Sequence, residues 1–269
     1  MLVVGRRRRE EIMFTPRTPR IVAARRLQRR RDRDQSRRFL AEGPQAVREA
    51  LAAGAVIELF GTPAALDRHA ELTAQAPEVS PVTDEALAAL TETVSPQGLV
   101  AVCEQGDVSI GEALAKNPRL IAVVAEIRDP GNAGTVLRTA DAAGAGAVIF
   151  AGDAVDPYNG KCVRSSAGSL FHVDVVRAPL SVVDLLQDNG LQVLATSGAG
   201  EDDVDSLLDG GQLAARTAWL FGSEAHGLPH EVLKAADRRV RVPIYGGAES
   251  LNLAAAAAVC LYASARAQR

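Results

Sequence analysis

Hydrophobic positions in this chain gather into short apolar runs, separated by polar stretches of helical spacing. In the second half the alternation is regular. Apolar runs at 120–127, 146–151, 171–176, 191–196, 217–222 and 238–242 read as strands. Helices are expected near 132–143, 158–167, 180–188, 203–209 and 228–236, and a last one from about 251 to 267. Strands alternating with helices predict a mostly parallel sheet covered on both faces, which binds ligands beyond the carboxyl ends of its strands. The first half reads as a smaller α/β unit: a helix at 41–54, a strand at 55–60, helical spacing at 63–76 and a short strand near Val79 and Val82. A helix at 83–90, with Thr83 as N-cap and Asp84 and Glu85 at its positive end, precedes a strand at 98–104. The polar stretch 107–119 reads as a linker. The expected organisation is an arm at 1–38, a small domain at 39–104, a linker at 105–119 and a larger domain at 120–269.

Composition narrows the class. With 269 residues, 47% of them hydrophobic, the chain can bury a core in one large or two small domains. The apolar run LAAAAAVCLYA (253–263) falls short of the roughly 20 residues of a membrane helix. The arginine-rich start is followed by no apolar signal segment. Cys103, Cys162 and Cys260 are widely spaced and form no C-x-x-C, which argues against a disulfide framework or zinc site and for a reducing, cytoplasmic setting. Four histidines, with His226 and His230 the nearest to a ligand pair, give no reason to expect a metal.

Charge adds a partner. Residues 1–38 hold fourteen Arg against four Asp or Glu, a net of +10, leaving 16 basic against 29 acidic residues, a net of −13, in the rest. A basic arm on an acidic body suits contact with phosphate. A solvated, partly disordered tail is the plainer alternative. The segment IVAARRLQRRRDRDQSRRFL (21–40) is expected as a basic helix anchored by Ile21, Val22, Leu27 and Phe39, presenting Arg25, Arg26, Arg29 and Arg30 to nucleic acid. RRRREE (6–11) and TPRTP (15–19) are expected to be disordered, and Met13 offers an alternative start.

Candidate chemistry sits in three loops that each follow a strand. The first is DPGNAGTVLR (129–138), where Asn132 and Arg138 stand six apart on a run otherwise small or apolar. It is no dinucleotide fingerprint: Leu137 occupies the place of the third glycine, and Gly144 and Gly146 follow the helix. The GK pair at 160–161 is no P-loop either, since Val155 stands where the first glycine is needed. The second loop is LFGSEAHGLP (220–229) and the third VPIYGGAESLN (242–252). Their glycines are read as places where backbone approaches a ligand, and Ser250 as the N-cap of the last helix.

In these residues the chain resembles the SpoU (TrmH) family of RNA ribose 2′-O-methyltransferases, of the SPOUT class. N-x-G-x-x-x-R stands as Asn132 to Arg138, F-G-S-E-x-x-G-L as Phe221 to Leu228, and P-x-x-G-x-x-x-S-L-N as Pro243 to Asn252. The first domain resembles the family's ribosomal-protein-like substrate-binding domain through FLAEGPQAVREAL (39–51) and SPQGLVAV (95–102). The resemblance implies a SPOUT-type parallel sheet with a C-terminal trefoil knot, S-adenosylmethionine as cofactor, no metal, and a homodimer. It implies structured RNA as substrate, ribosomal RNA ahead of tRNA, with a non-catalytic RNA-binding member of the fold as the alternative.

The site residues carried over are Arg138, Asn132, Glu224, Ser250 and Asn252 for catalysis. Arg138 is the family's catalytic arginine. Stabilising a developing alkoxide or holding the adjacent phosphate is physically easier for it than acting as base, and pairing with Asp129 or Asp141 on a helix surface is the structural alternative. Asn132 would position Arg138 or substrate, or simply cap its helix. Gly222, Val242, Ile244 and Leu251 would cradle the cofactor, with Thr196 and Ser197 bordering the same pocket. Lys161 and Arg164 are candidate phosphate contacts, and His226 reads as a surface histidine.

Overall fold

The computed structural model describes residues 13–269, so the run at 6–11 lies outside it. The chain divides between Gln105 and Gly106 into two units.

The first unit comprises α1 (Pro19–Arg26), α2 (Arg30–Ser36), β1 (Arg38–Glu42), α3 (Pro44–Ala52), β2 (Val56–Gly61), α4 (Pro63–Arg68), α5 (Ala70–Thr73), β3 (Val79–Pro81), α6 (Asp84–Leu90) and β4 (Leu99–Glu104). Its sheet has the order β1-β4-β2-β3, with β1 and β2 antiparallel to β4 and β3 parallel to β2. The helical span expected at 63–76 is interrupted at His69, whose backbone (φ −114°, ψ 45°) leaves the helical region.

The arm differs most from expectation. From Phe14 onward it is part of the first unit's fold. Phe14 N–H donates to Pro81 O, and Thr15 to Thr18 forms a turn rather than a disordered run, with Pro19 opening α1. Ile21, Ala24 and Leu27, spaced three apart, are buried with Leu40, Phe60, Val82 and Leu90. Val22, expected as an anchor, faces solvent. The single basic helix is broken in two, and Phe39 lies in β1 instead. Arg33 is buried, and its Nη1 donates to Leu27 O and Gln28 O, both at 2.9 Å, so one arginine of the basic run caps the carbonyls that end α1.

The second unit comprises α7 (Ile110–Ala115), β5 (Leu120–Ala125), α8 (Pro130–Ala142), β6 (Ala147–Ala151), α9 (Gly160–Ser166), β7 (Asp174–Ala178), α10 (Val182–Asp188), β8 (Gln192–Thr196), β9 (Asp202–Asp203), α11 (Val204–Asp209), β10 (Thr217–Phe221), α12 (His230–Ala235), β11 (Arg238–Arg241) and α13 (Leu253–Ala267). Its seven strands, in the order β7-β6-β5-β10-β8-β11-β9, are all parallel. β5 and β6 are buried along their whole length, as interior parallel strands covered on both faces should be. The stretch expected as a linker holds α7, capped reciprocally by Ser109 and Glu112, and its Ala113 and Leu114 enter the core. The strand expected at 171–176 begins at Asp174, because Ser169–Phe171 forms a 3-10 turn behind Gly168.

Burial of Trp219 ties the last helix to the sheet. Its ring lies parallel to that of Phe221, centroids 6.5 Å apart, and its Nε1 donates to Ser264 Oγ of α13 at 2.9 Å. The indole thus satisfies its one donor inside the core. The strand order reverses between β5 and β10, the place where open parallel sheets leave a crevice at their carboxyl edge. Among the described residues no helix is long and apolar enough to cross a membrane.

Candidate active site

β5, β10 and β11 run parallel, so the loops after them emerge at one edge of the sheet. After β5 the chain turns sharply through Glu126, a non-glycine residue in the left-handed region (φ 55°). Asp129 then opens α8: its Oδ1 accepts the Asn132 N–H at 2.8 Å, and Pro130 supplies the fixed φ of the first helical position. Lys161 Nζ donates to the other carboxylate oxygen at 2.8 Å. That contact and the Asn132 amide hold the Asp129 carboxyl below its ordinary pKa.

Because Asp129 does the capping, the Asn132 side chain is free for another use. Its Nδ2 donates to Glu224 Oε1 at 2.7 Å, and its Oδ1 accepts from Asn252 Nδ2 at 3.2 Å. Asn252 in turn turns its Oδ1 to the N–H groups of Ala254 (2.9 Å) and Ala255 (3.4 Å). Asn252, not Ser250, is therefore the N-cap of α13. One asparagine from each of two loops and the carboxylate of the third form a single hydrogen-bonded chain.

Two of the loop glycines are required by contacts within the protein. A Cβ on Gly134 would stand 2.0 Å from Ser165 Oγ and 2.3 Å from Cys162 O, so this glycine lets α8 and α9 touch. A Cβ on Gly222 would stand 2.2 Å from the Gly227 carbonyl carbon, because the second loop folds back through paired Ser223–Gly227 backbone bonds of 3.1 and 2.8 Å. That fold presents Glu224 at its tip.

Beside this chain of side chains lies a cavity of about 650 Å³. Its floor is apolar, with Phe221, Leu228, Leu233 and Val240, and the third loop forms one wall. Thr196, Ser197, Gly222, Val242, Ile244 and Leu251 all line it, and so do Glu224, Ser250 and Asn252. The Thr196 hydroxyl is already engaged, donating to Leu220 O at 2.8 Å. His226 is exposed, as expected of a surface histidine, and its place inside the second motif brings it to the cavity lining as well. Gly198 and Glu249 also line it, and no feature of the sequence singled them out. Its lining includes two glutamates and, among the described residues, no Lys or Arg.

Arg138 stands apart. It is exposed on the face of α8 that also carries Thr135 and Ala142, outside the cavity lining. It makes no hydrogen bond or ion pair among the described residues. The carboxylates expected as its partners are taken: Asp141 by His172 at 2.8 Å and Asp129 by Lys161. Lys161 is thus engaged in the fold, and Arg164 also has a partner. In the first unit Arg25, Arg26, Arg29 and Arg30 are exposed, Arg30 lying 3.6 Å from Asp34.

Residues 119–262 match the sequence model of the SpoU rRNA methylase family. The chain belongs to that family. Residues 18–101 match a second model, the MRM3-like substrate binding domain. Over 88% of this chain and 92% of the relative, it is 35% identical to a Bacillus subtilis protein, the 23S rRNA (guanosine(2553)-2′-O)-methyltransferase RlmP. Among solved structures it is similar to the SpoU methyltransferase AviRb from Streptomyces viridochromogenes in complex with AdoMet (TM-score 0.79, 28% identity, 93% of this chain and 98% of that one). It is also similar to an AdoMet-bound rRNA methyltransferase from Sinorhizobium meliloti (TM-score 0.79, 31% identity, 93% and 95%). The SpoU blocks read from the sequence are the segments whose side chains meet here.

Proposed function

We propose that this protein transfers the methyl group of S-adenosylmethionine to a ribose 2′-hydroxyl of structured RNA, 23S ribosomal RNA being the substrate class. The observation that carries the reading is the bonded chain Glu224–Asn132–Asn252 at the rim of a cavity walled by the third loop. The named activity of RlmP, over nearly the whole of both chains, supports the substrate class.

The cavity fits the cofactor. Its volume of about 650 Å³ lies inside the roughly 300–1,000 Å³ usual for small-molecule sites, and its apolar floor with a polar rim suits an adenosine joined to a charged amino acid. Thr196, Ser197, Gly222, Val242, Ile244 and Leu251 would hold it. When bound, S-adenosylmethionine supplies an electrophilic methyl on a sulfonium. Glu224 and Glu249 give the cavity a negative potential, which favours a cationic ligand.

Asn132, fixed at both ends of its amide, holds the Glu224 carboxylate and the start of α13 in one geometry. Glu224 can accept a hydrogen bond from the ribose hydroxyl. Arg138, six residues or about 9 Å along α8 from Asn132, is the cation available to the RNA: its free guanidinium suits the 2′-oxygen as charge develops or the neighbouring phosphate. Ser250 faces the same space from the third loop. The first unit, with Arg25, Arg26, Arg29 and Arg30 exposed, binds RNA through phosphate.

The family's trefoil knot is proposed for the third loop and α13, and a homodimer for the protein. Ala254, Ala257, Leu261, Ser264 and Ala265 of α13 pack inside the chain, whereas Ala255, Val259 and Tyr262 form an exposed, largely apolar stripe suited to a second copy. The test of the function is to map ribose methylation in ribosomal RNA from cells with and without the gene, and to restore the missing mark with purified protein and S-adenosylmethionine. A fully methylated RNA in the deletion strain sinks the proposal.

A further inference from the structure

Beside the cavity the edge of the second sheet is fastened by a ladder of polar pairs. Glu201 receives Arg239 through Nε (2.9 Å) and Nη2 (2.8 Å), Arg238 reaches Asp202 at 3.2 Å, and Arg241 reaches Asp203 at 3.3 Å. These three rungs join the segment after β8 to β11, both already held by the sheet. The fourth rung joins something less secure. The Tyr245 hydroxyl, in the loop after β11, donates to Asp205 Oδ2 in the first turn of α11 at 2.7 Å.

Residues 242–251 form no helix or strand, and among the described residues this is the one hydrogen bond they make. Gly246 and Gly247 lie in the same stretch with open space around them. Yet Val242, Ile244, Glu249, Ser250 and Leu251 form a wall of the cavity. Tyr245 is 88% exposed, so burial does not hold it. A ten-residue loop whose one hydrogen bond is made by a side chain gains much of its order from that side chain, since each freed backbone residue regains conformational entropy. The carboxylate beside it keeps the phenol protonated, by raising its pKa above the ordinary tyrosine value.

We propose that Tyr245 is a positioning residue: its bond to Asp205 latches the third loop in the conformation that receives S-adenosylmethionine. The proposal rests on the reading that this cavity is the cofactor site. Without the latch the loop samples open conformations, and apparent affinity falls by the fraction of molecules still competent. Loss of one hydrogen bond corresponds to about a three- to tenfold change.

The experiment compares Tyr245→Phe, Asp205→Ala, Asp205→Asn and the double variant Tyr245→Phe/Asp205→Ala with the wild type. Calorimetric titration with S-adenosylmethionine should give a Kd about three- to tenfold weaker for Tyr245→Phe and Asp205→Ala. The double variant should be no worse than either, because both remove the same bond. Asp205→Asn, which keeps an acceptor oxygen, should retain most of the affinity. In methyl transfer the loss should appear in the cofactor KM and vanish at saturating cofactor. Without cofactor, amide hydrogen exchange over 243–251 should be faster in Tyr245→Phe than in the wild type. Unchanged Kd and unchanged exchange in Tyr245→Phe overturn the latch. If the wild type binds no S-adenosylmethionine, the reading of the cavity fails, and the exchange comparison alone decides the latch.

Discussion

The Asn132 amide donates to the Glu224 carboxylate at 2.7 Å although 92 residues separate them, and the same amide accepts from Asn252, 120 residues away. One side chain thus sets the mutual position of three loops. Asn132→Ala should slow methyl transfer by about tenfold, the cost of one or two hydrogen bonds. Glu224→Ala should be non-additive with it in a double-mutant cycle. Single-turnover methylation of the RNA target measures both, and strict additivity would show that the contact carries no function.

Arg138→Lys retains charge but not the planar fork. Its rate of transfer should fall nearly as far as that of Arg138→Ala, about a hundred- to a thousandfold. Because Arg138 lies outside the cavity lining, the Kd for S-adenosylmethionine should hold within twofold or so in both variants. A wild-type rate in Arg138→Ala would remove the residue from the chemistry.

Gly134→Ala should destabilise the second unit. Its Cβ meets Ser165 Oγ and the Cys162 carbonyl, and overpacking of this kind costs about 1–3 kcal/mol. The Ser165 side chain can rotate; the Cys162 backbone cannot. Thermal unfolding of Gly134→Ala with Ser165 intact and with Ser165→Gly separates the two clashes, and the second substitution should restore only part of the loss.

The Asp129–Lys161 pair gives a pH dependence of known sign. The carboxyl of Asp129 is held below its unfolded value, first by Lys161 and then by the Asn132 amide. The folded state therefore binds fewer protons, and the pair's stabilisation is complete above about pH 4 and is lost as pH falls through the folded pKa. With side chains 55% and 43% exposed, the contribution is about 1 kcal/mol or less. Asp129→Asn keeps a capping oxygen but not the charge, so urea unfolding should find it weaker than wild type at pH 7, and the gap should close as pH falls through the folded pKa. A difference that persists in acid would assign the loss to the cap instead.

The basic segment calls for substitution rather than deletion. Removing residues 1–38 would take Ile21, Leu27 and Arg33 out of the first unit's core and unfold what it is meant to test. Replacing Arg25, Arg26, Arg29 and Arg30 with Gln keeps the helices. If they meet phosphate, RNA affinity falls and the slope of log affinity against log salt flattens by about 0.7–0.9 for each lost contact. An unchanged slope would remove the segment from the RNA interface.

Much of the second unit was legible because its interior strands are apolar end to end, which leaves LIAVVA at β5 little else to be. What escaped had a physical reason. α7 spans six residues, too short for a helical period to show, and only the Ser109/Glu112 cap marked it. β1 is defined by pairing with β4, about sixty residues further on, and local pattern carries no such partner. At the site, residue types were readable and their division of labour was not. Asp129 and Asn252 cap helices where Asn132 and Ser250 were candidates, because the choice depends on which side chain has a distant partner. Arg138 could be named but not located relative to the cavity. Tyr245 went unnoticed, since its bond to Asp205 crosses 40 residues.

The position of Asn252 has a consequence for how the protein comes into being. Its amide closes the site only once α13, which it caps, has folded onto β10 and α8. The elements it joins are among the first and last of the second unit to leave the ribosome. Contacts of such sequence separation form late, after closure of the intervening chain. A nascent chain whose final helix is still in the exit tunnel has its first two loops but no finished site. The site thus gains its competence only once α13 has been made and has folded, and any truncation that removes α13 should leave a sheet without an activity.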